Sequence, residues 1–127
     1  MDTLIKILWV GLGGFLGANT RFWLGGWIAQ RYGTAFPWGT FVINVTGAFI
    51  LGLFSTLITE RIIAAPNLRL LVAIGFVGAY TTFSTFEYET LTLAENGAFL
   101  RAVANIVFSV LAGFLAVWLG AKLARVV

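Results

Sequence analysis

Twelve consecutive residues, Gly75-Phe76-Val77-Gly78-Ala79-Tyr80-Thr81-Thr82-Phe83-Ser84-Thr85-Phe86, bring together groups that can handle ions. Two glycines and an adjacent pair of threonines weaken an ordinary helix. An unwound turn frees backbone carbonyls, hard oxygen donors of the kind that hold Na⁺ where membrane helices are interrupted. Phe83 and Phe86 are three apart and share a helix face. Ring edges carry the positive side of the aromatic quadrupole, so two edges can face a small anion. Thr82, Ser84 and Thr85 add hydroxyl donors. A plainer reading fits the same residues: the two rings pack, and the hydroxyls bond back to their own helix.

Two further polar positions interrupt apolar sequence. Asn44 stands between Ile43 and Val45 and carries both a donor and an acceptor. It can glue two helices together or line an ion path, and Thr40, four residues earlier, shares its face. Arg21 ends the segment Gly17-Ala18-Asn19-Thr20-Arg21. It can snorkel to the membrane edge or raise the local anion concentration in a vestibule.

These groups need elements to hold them, and the composition says which. Of 127 residues, 60% are hydrophobic and 10% are charged, against about 25% charged in soluble domains. Eight Lys and Arg and five Asp and Glu cannot cover the surface of a water-soluble globule. A soluble enzyme and a disordered chain are both excluded. No Cys and no His are present, which excludes disulfides, thiol chemistry and His-based triads. The basic residues are scattered, with no patch for nucleic acid.

Spans of about 20 apolar residues cross a bilayer as helices. Residues 40–59 and 102–121 carry no charge, and residues 70–86 carry none between Arg69 and Glu87. A first apolar stretch holds only Lys6 and Arg21, with Arg21 near its far end. The expectation is one all-α membrane domain over 1–127, with spans at about 4–28, 37–59, 70–94 and 100–122. The third span is expected to break midway. A lysine followed by an apolar stretch imitates a signal peptide, but the rest of the chain is membrane-like too, so the first span is read as retained.

Four spans put both termini on one side. That side would hold Lys6, Arg61, Arg69, Lys122 and Arg125, against Arg21, Arg31 and Arg101 opposite. So small a bias allows insertion in either orientation, and with it an antiparallel homodimer. Small residues recur at Ala112, Ala116, Gly120 and Ala124, and Gly13 and Gly17 form a GxxxG pair. Such faces let helices approach closely in lipid, and here they suggest contact between copies.

The ordered set of motifs resembles the Fluc/CrcB family of fluoride channels. Gly75-Phe76-Val77-Gly78 followed by Thr81-Thr82-Phe83-Ser84-Thr85-Phe86 is similar to that family's third-span signature. Gly39-Thr40 with Asn44, and Gly14, Gly17-Ala18 and Arg21, resemble its second-span and first-span motifs. The resemblance implies a dual-topology antiparallel homodimer with two fluoride pores in the cell's inner membrane. It implies a structural Na⁺ on the dimer axis, held by the main-chain carbonyls of Gly78 and Thr81 of each copy. It makes Phe83 and Phe86 the pore phenylalanines, Asn44 the pore asparagine and Arg21 the vestibule arginine. Glu89 matches an acid that commonly follows the signature. The chain departs from the pattern at Ala79, where glycine is usual, and at Glu87, where serine is common. Asn105 and Ser109 of the fourth span do not align cleanly with the family's polar track.

No phosphate-binding loop marks an energy source, so the expected activity is passive fluoride export. Fluoride and the lipid bilayer are the expected partners. The competing reading is a small four-helix multidrug/proton antiporter, which needs a membrane-embedded carboxylate. Glu87 and Glu89 stand near the end of the third span, and no ionisable residue is expected at mid-membrane. A non-transporting interaction subunit is a further reading. No nucleophile–base pair points to an enzyme.

Overall fold

The computed structural model describes residues 2–61 and 65–127, apart from the Arg61 side chain. Among them the chain is helical and contains no strand. Four stretches are long and apolar enough to cross a membrane: Thr3–Tyr32, Trp38–Glu60, Pro66–Glu95 and Phe99–Val126.

The helices outrun the apolar segments that announce them. The first has 30 residues, about 45 Å at 1.5 Å per residue, against a hydrocarbon core of about 30 Å. Its ends are set by caps rather than by hydropathy. The Asp2 carboxylate accepts the Leu4 N–H at 3.3 Å. Gly33, at φ 77°, closes the far end with its N–H on the Ala29 carbonyl. Only glycine reaches that backbone region cheaply, and Gly97 does the same before the fourth helix at φ 78°. Arg21 is therefore not at the end of its helix. The helix continues eleven residues beyond it to Tyr32, roughly 17 Å.

The third span is built in pieces. Pro66 starts it, at a position where its missing N–H is harmless. Arg69–Val77 winds as a wider π-type helix, and Gly78–Tyr80 forms one α-turn. Thr81 and Thr82 then leave helical backbone, with ψ of 155° and 114°. Helix resumes at Phe83–Glu95, capped by the Thr82 hydroxyl on the Thr85 N–H.

The first helix packs on the third span, and the second on the fourth. Glycines make both contacts. A Cβ on Gly13 would strike the Leu71 carbonyl oxygen, and one on Gly17 the Phe76 carbonyl oxygen. On the other pair, Gly52 lies against the Val117 carbonyl and Gly120 against the Phe49 carbonyl. Ala116 and Ala124 are buried in the same protomer. The small-residue faces thus close the protomer on itself, not on a second copy as expected from sequence. Small spacing reports close approach but does not name the partner. The outer surface is left to large apolar side chains such as Phe15, Trp23, Leu111 and Phe114, which suits lipid.

Gly13→Val should therefore damage the protomer itself. Overpacking typically costs about 1–3 kcal/mol, and backbone oxygens cannot swing aside. A fall in the protomer's unfolding midpoint in detergent is the expected result, while unchanged stability would contradict this packing.

Candidate functional site

The site forms where the second helix meets the extended pair Thr81-Thr82. Asn44 donates from Nδ2 to the Thr82 carbonyl at 3.0 Å, and its Oδ1 accepts the Thr82 N–H at 2.8 Å. One amide thus satisfies both main-chain groups of a residue that has left the helix. Unpartnered backbone groups would be costly in a membrane.

This arrangement releases two carbonyls. In a continuous helix the Thr82 N–H would bond the Gly78 carbonyl, and the Thr85 N–H the Thr81 carbonyl. Here the first N–H goes to Asn44 and the second to the Thr82 hydroxyl. Gly78 itself is exposed, and a Cβ built on it meets nothing within 4 Å. Among the described residues no group of three or more acids, His or Cys could hold a metal. The oxygens freed at the break are the main-chain ones of Gly78 and Thr81.

Around this core the hydroxyls have defined directions. The Thr81 hydroxyl donates to the Val77 carbonyl at 2.9 Å. The Thr82 hydroxyl donates to Thr85 Oγ1 at 3.0 Å, which leaves the Thr85 proton for another acceptor. Thr46 donates to the Val42 carbonyl at 2.7 Å, so the buried Tyr80 hydroxyl is the donor in their 2.8 Å contact. Nothing in the spacing of Thr46 and Tyr80 signals this pair, which joins the second helix to the last turn before the extended residues. Ser84 is exposed.

Phe83 and Phe86 sit with ring centroids 5.9 Å apart and planes inclined by 49°. Their environments differ. Phe86 is 7% exposed and Phe83 is 74% exposed. Phe86 is held by the protomer, whereas Phe83 faces outward. Both line a cavity of about 340 Å³ together with Asn44, Thr81, Thr82 and Ser109.

A second cavity, of about 500 Å³, opens toward the end where the first and second helices connect. Arg21, Thr40, Thr82, Thr85 and Glu89 line it. Thr82 borders both cavities. Thr40 donates to Glu89 Oε1 at 2.8 Å. Arg21 Nε and Glu89 Oε2 are buried and have no protein hydrogen-bond partner. Glu89 is thus a half-buried carboxylate within a span, six residues before its end at Glu95. The uncharged run, which ends at Phe86, does not signal how deeply this acid is held. Its one available signal was Thr40, a helical turn before Asn44 on the same face. Glu87 is exposed on the same helix.

The structure thus brings Asn44, Thr81, Thr82, Phe83 and Phe86 to one cavity, and Arg21 and Thr85 to the adjoining one. Ser84 and Gly78 stand on the outer surface.

Residues 8–121 match the family described as CrcB-like protein, Camphor Resistance (CrcB). A relative from Acidobacterium capsulatum, described as "Fluoride-specific ion channel FluC", is 53% identical over 116 residues, 91% of this chain and 93% of its own length. One of the same description from Solibacter usitatus is 48% identical over 121 residues, 95% of this chain and 99% of its own length. Another from Chloroflexus aurantiacus is 45% identical over 120 residues, covering 94% of this chain and 95% of its own length.

Proposed function

The chain belongs to the CrcB-like family, and from that premise we propose that it is a fluoride-selective channel working as an antiparallel pair of copies in the inner (plasma) membrane. It is a multi-pass membrane protein and a transport protein rather than an enzyme. The observation that carries the proposal is the Asn44–Thr82 clamp beside the two phenylalanines.

Fluoride is small and strongly hydrated, so a selective path must replace its water shell while leaving the ion free to depart. Arg21 gathers anions in the larger cavity. Thr85 has a hydroxyl proton available there, because it receives the Thr82 proton. Beyond Thr82, Phe83 and Phe86 border the smaller cavity, and the positive edges of such rings suit a small anion. The Asn44 amide is occupied on both sides. Its role in this reading is to hold the mid-span break open between the two cavities.

The freed carbonyls of Gly78 and Thr81 suit a sodium ion, which would supply a fixed positive charge where two copies meet. The exposed Gly78 backbone permits the close approach of a second chain. No step needs an energy source, so flow follows the fluoride gradient. Weak acid HF enters a cell and dissociates in its more alkaline interior, so the net result is export.

Purified protein in liposomes, loaded with fluoride and chloride under equal gradients, tests the reading. Rapid fluoride efflux with little chloride efflux is expected. No fluoride efflux from intact dimers would overturn it.

The half-buried Glu89 keeps the proton-coupled antiporter in view. Such exchange depends on a membrane carboxylate. Glu87→Gln with Glu89→Gln is expected to retain fluoride efflux, reduced by less than about tenfold, or roughly 1.4 kcal/mol in barrier. Complete loss of transport would favour the antiporter.

A further inference from the structure

Among the described residues, Asn105 is the single buried side chain that ends in an amide or a charge, 1% exposed. It takes no part in the clamp at Thr82. Its amide joins two hydroxyls on different helices. Nδ2 donates to Thr90 Oγ1 at 2.9 Å, and Oδ1 accepts from Ser109 Oγ at 3.3 Å. Thr90 in turn donates to the Phe86 carbonyl at 2.8 Å.

The chain of bonds has one direction. A hydroxyl carries a single proton, and Thr90 gives its proton to Phe86. Its oxygen can then only accept, so the NH₂ of Asn105 must face it. That leaves Oδ1 toward Ser109, whose proton points at Asn105. At 3.3 Å this last bond is long for an O–H···O pair, which usually lies near 2.7–2.8 Å. It is the weakest link, and Ser109 is the one hydrogen-bonding side chain of the three that lines the smaller cavity with Asn44, Phe83 and Phe86.

We propose that Asn105 is a positioning residue that sets the orientation of the Ser109 hydroxyl. With the cavity empty, Asn105 Oδ1 holds the Ser109 proton. When an anion enters, the long bond exchanges for a charge-assisted one, and Ser109 donates to the anion. Without that acceptor, the hydroxyl turns to the carbonyl four residues earlier on its own helix. Asn105 touches no ion. It acts through Ser109, while Thr90, its proton on the Phe86 carbonyl, fixes which way the amide faces. This inference rests on the channel reading, and wild-type fluoride efflux is the control that separates the two.

Two measurements test it. Asn105→Leu is expected to lower fluoride efflux about tenfold, the effect of one well-placed hydrogen bond. In a Ser109→Ala background the same substitution should change efflux less than about twofold, because the group it acts through is gone. Equal losses in both backgrounds would assign Asn105 to packing alone and overturn the proposal. Thr90→Val, which removes the acceptor that orients the amide, provides the same comparison where Asn105→Leu does not assemble.

Asn105→Asp gives a second readout. A protonated carboxyl can donate to Thr90 and accept from Ser109, as the amide does, whereas a carboxylate cannot donate. Efflux relative to wild type at each pH should rise as the introduced carboxyl protonates, with leak from protein-free liposomes subtracted. The native Glu89 on the facing helix is common to both proteins and cancels in the ratio. A flat ratio across pH would count against the proposal. If wild-type liposomes release no fluoride, the channel reading itself has failed.

Discussion

Replacing Asn44 by alanine should reduce fluoride efflux by at least about a hundredfold. The change removes one side chain but orphans two backbone groups, the N–H and the carbonyl of Thr82. Each unmade buried hydrogen bond costs about 1–3 kcal/mol, and a hundredfold corresponds to about 2.7 kcal/mol. The extended pair Thr81-Thr82 would relieve the deficit by rewinding. The Thr82 N–H would return to the Gly78 carbonyl, and the boundary between the two cavities would move. The damage should therefore exceed that from Thr40→Val, which loses one hydroxyl bond to Glu89. Liposome efflux of both variants, after a check for intact dimers, provides the comparison. Efflux of Asn44→Ala within threefold of wild type would remove Asn44 from its central role.

The second large effect is expected at Gly78. A valine there meets no atom of its own protomer within 4 Å of the Cβ position, so the chain should still fold. The substituted side chain would instead stand on the exposed face beside the two freed carbonyls. Gly78→Val should thus yield stable protomers that fail to pair and release fluoride at least about a hundredfold more slowly, a loss of roughly 2.7 kcal/mol. Thr81→Ala should be milder. The Thr81 hydroxyl already bonds the Val77 carbonyl of its own helix, and the Thr81 carbonyl is kept. Crosslinking yield and sodium dependence of efflux, measured side by side, test the ranking. Normal pairing of Gly78→Val would break the link between this face and a second copy. A more severe Thr81→Ala would point to coordination by the side chain.

Four membrane-crossing helices are legible in the sequence because charge-free runs of about 20 residues have few alternatives. Their true ends are less so. Asp2 and Gly33 carry the first helix past its apolar stretch through capping geometry, and a hydropathy pattern does not encode a cap. Spacing indicated that Thr40 and Asn44 share a face. It could not say that Asn44 would meet both main-chain groups of Thr82, a contact across 38 residues of sequence. For the same reason the stripe through Gly120 announced a close contact without revealing that the Phe49 carbonyl of the same chain fills it. Glu89 looked like a residue at the edge of its span because the uncharged run ends at Phe86. The helix continues to Glu95 and carries it back against Thr40.

The closure of the glycine faces within one chain also orders events in time. Each polypeptide can finish packing its own helices soon after insertion, alone in the bilayer. In the proposed pair, meeting a second copy would then be a separate, collision-dependent step between finished units. The yield of that proposed step would rise with the number of chains per area of membrane, so a sparsely expressing cell would accumulate folded but unpaired protomers.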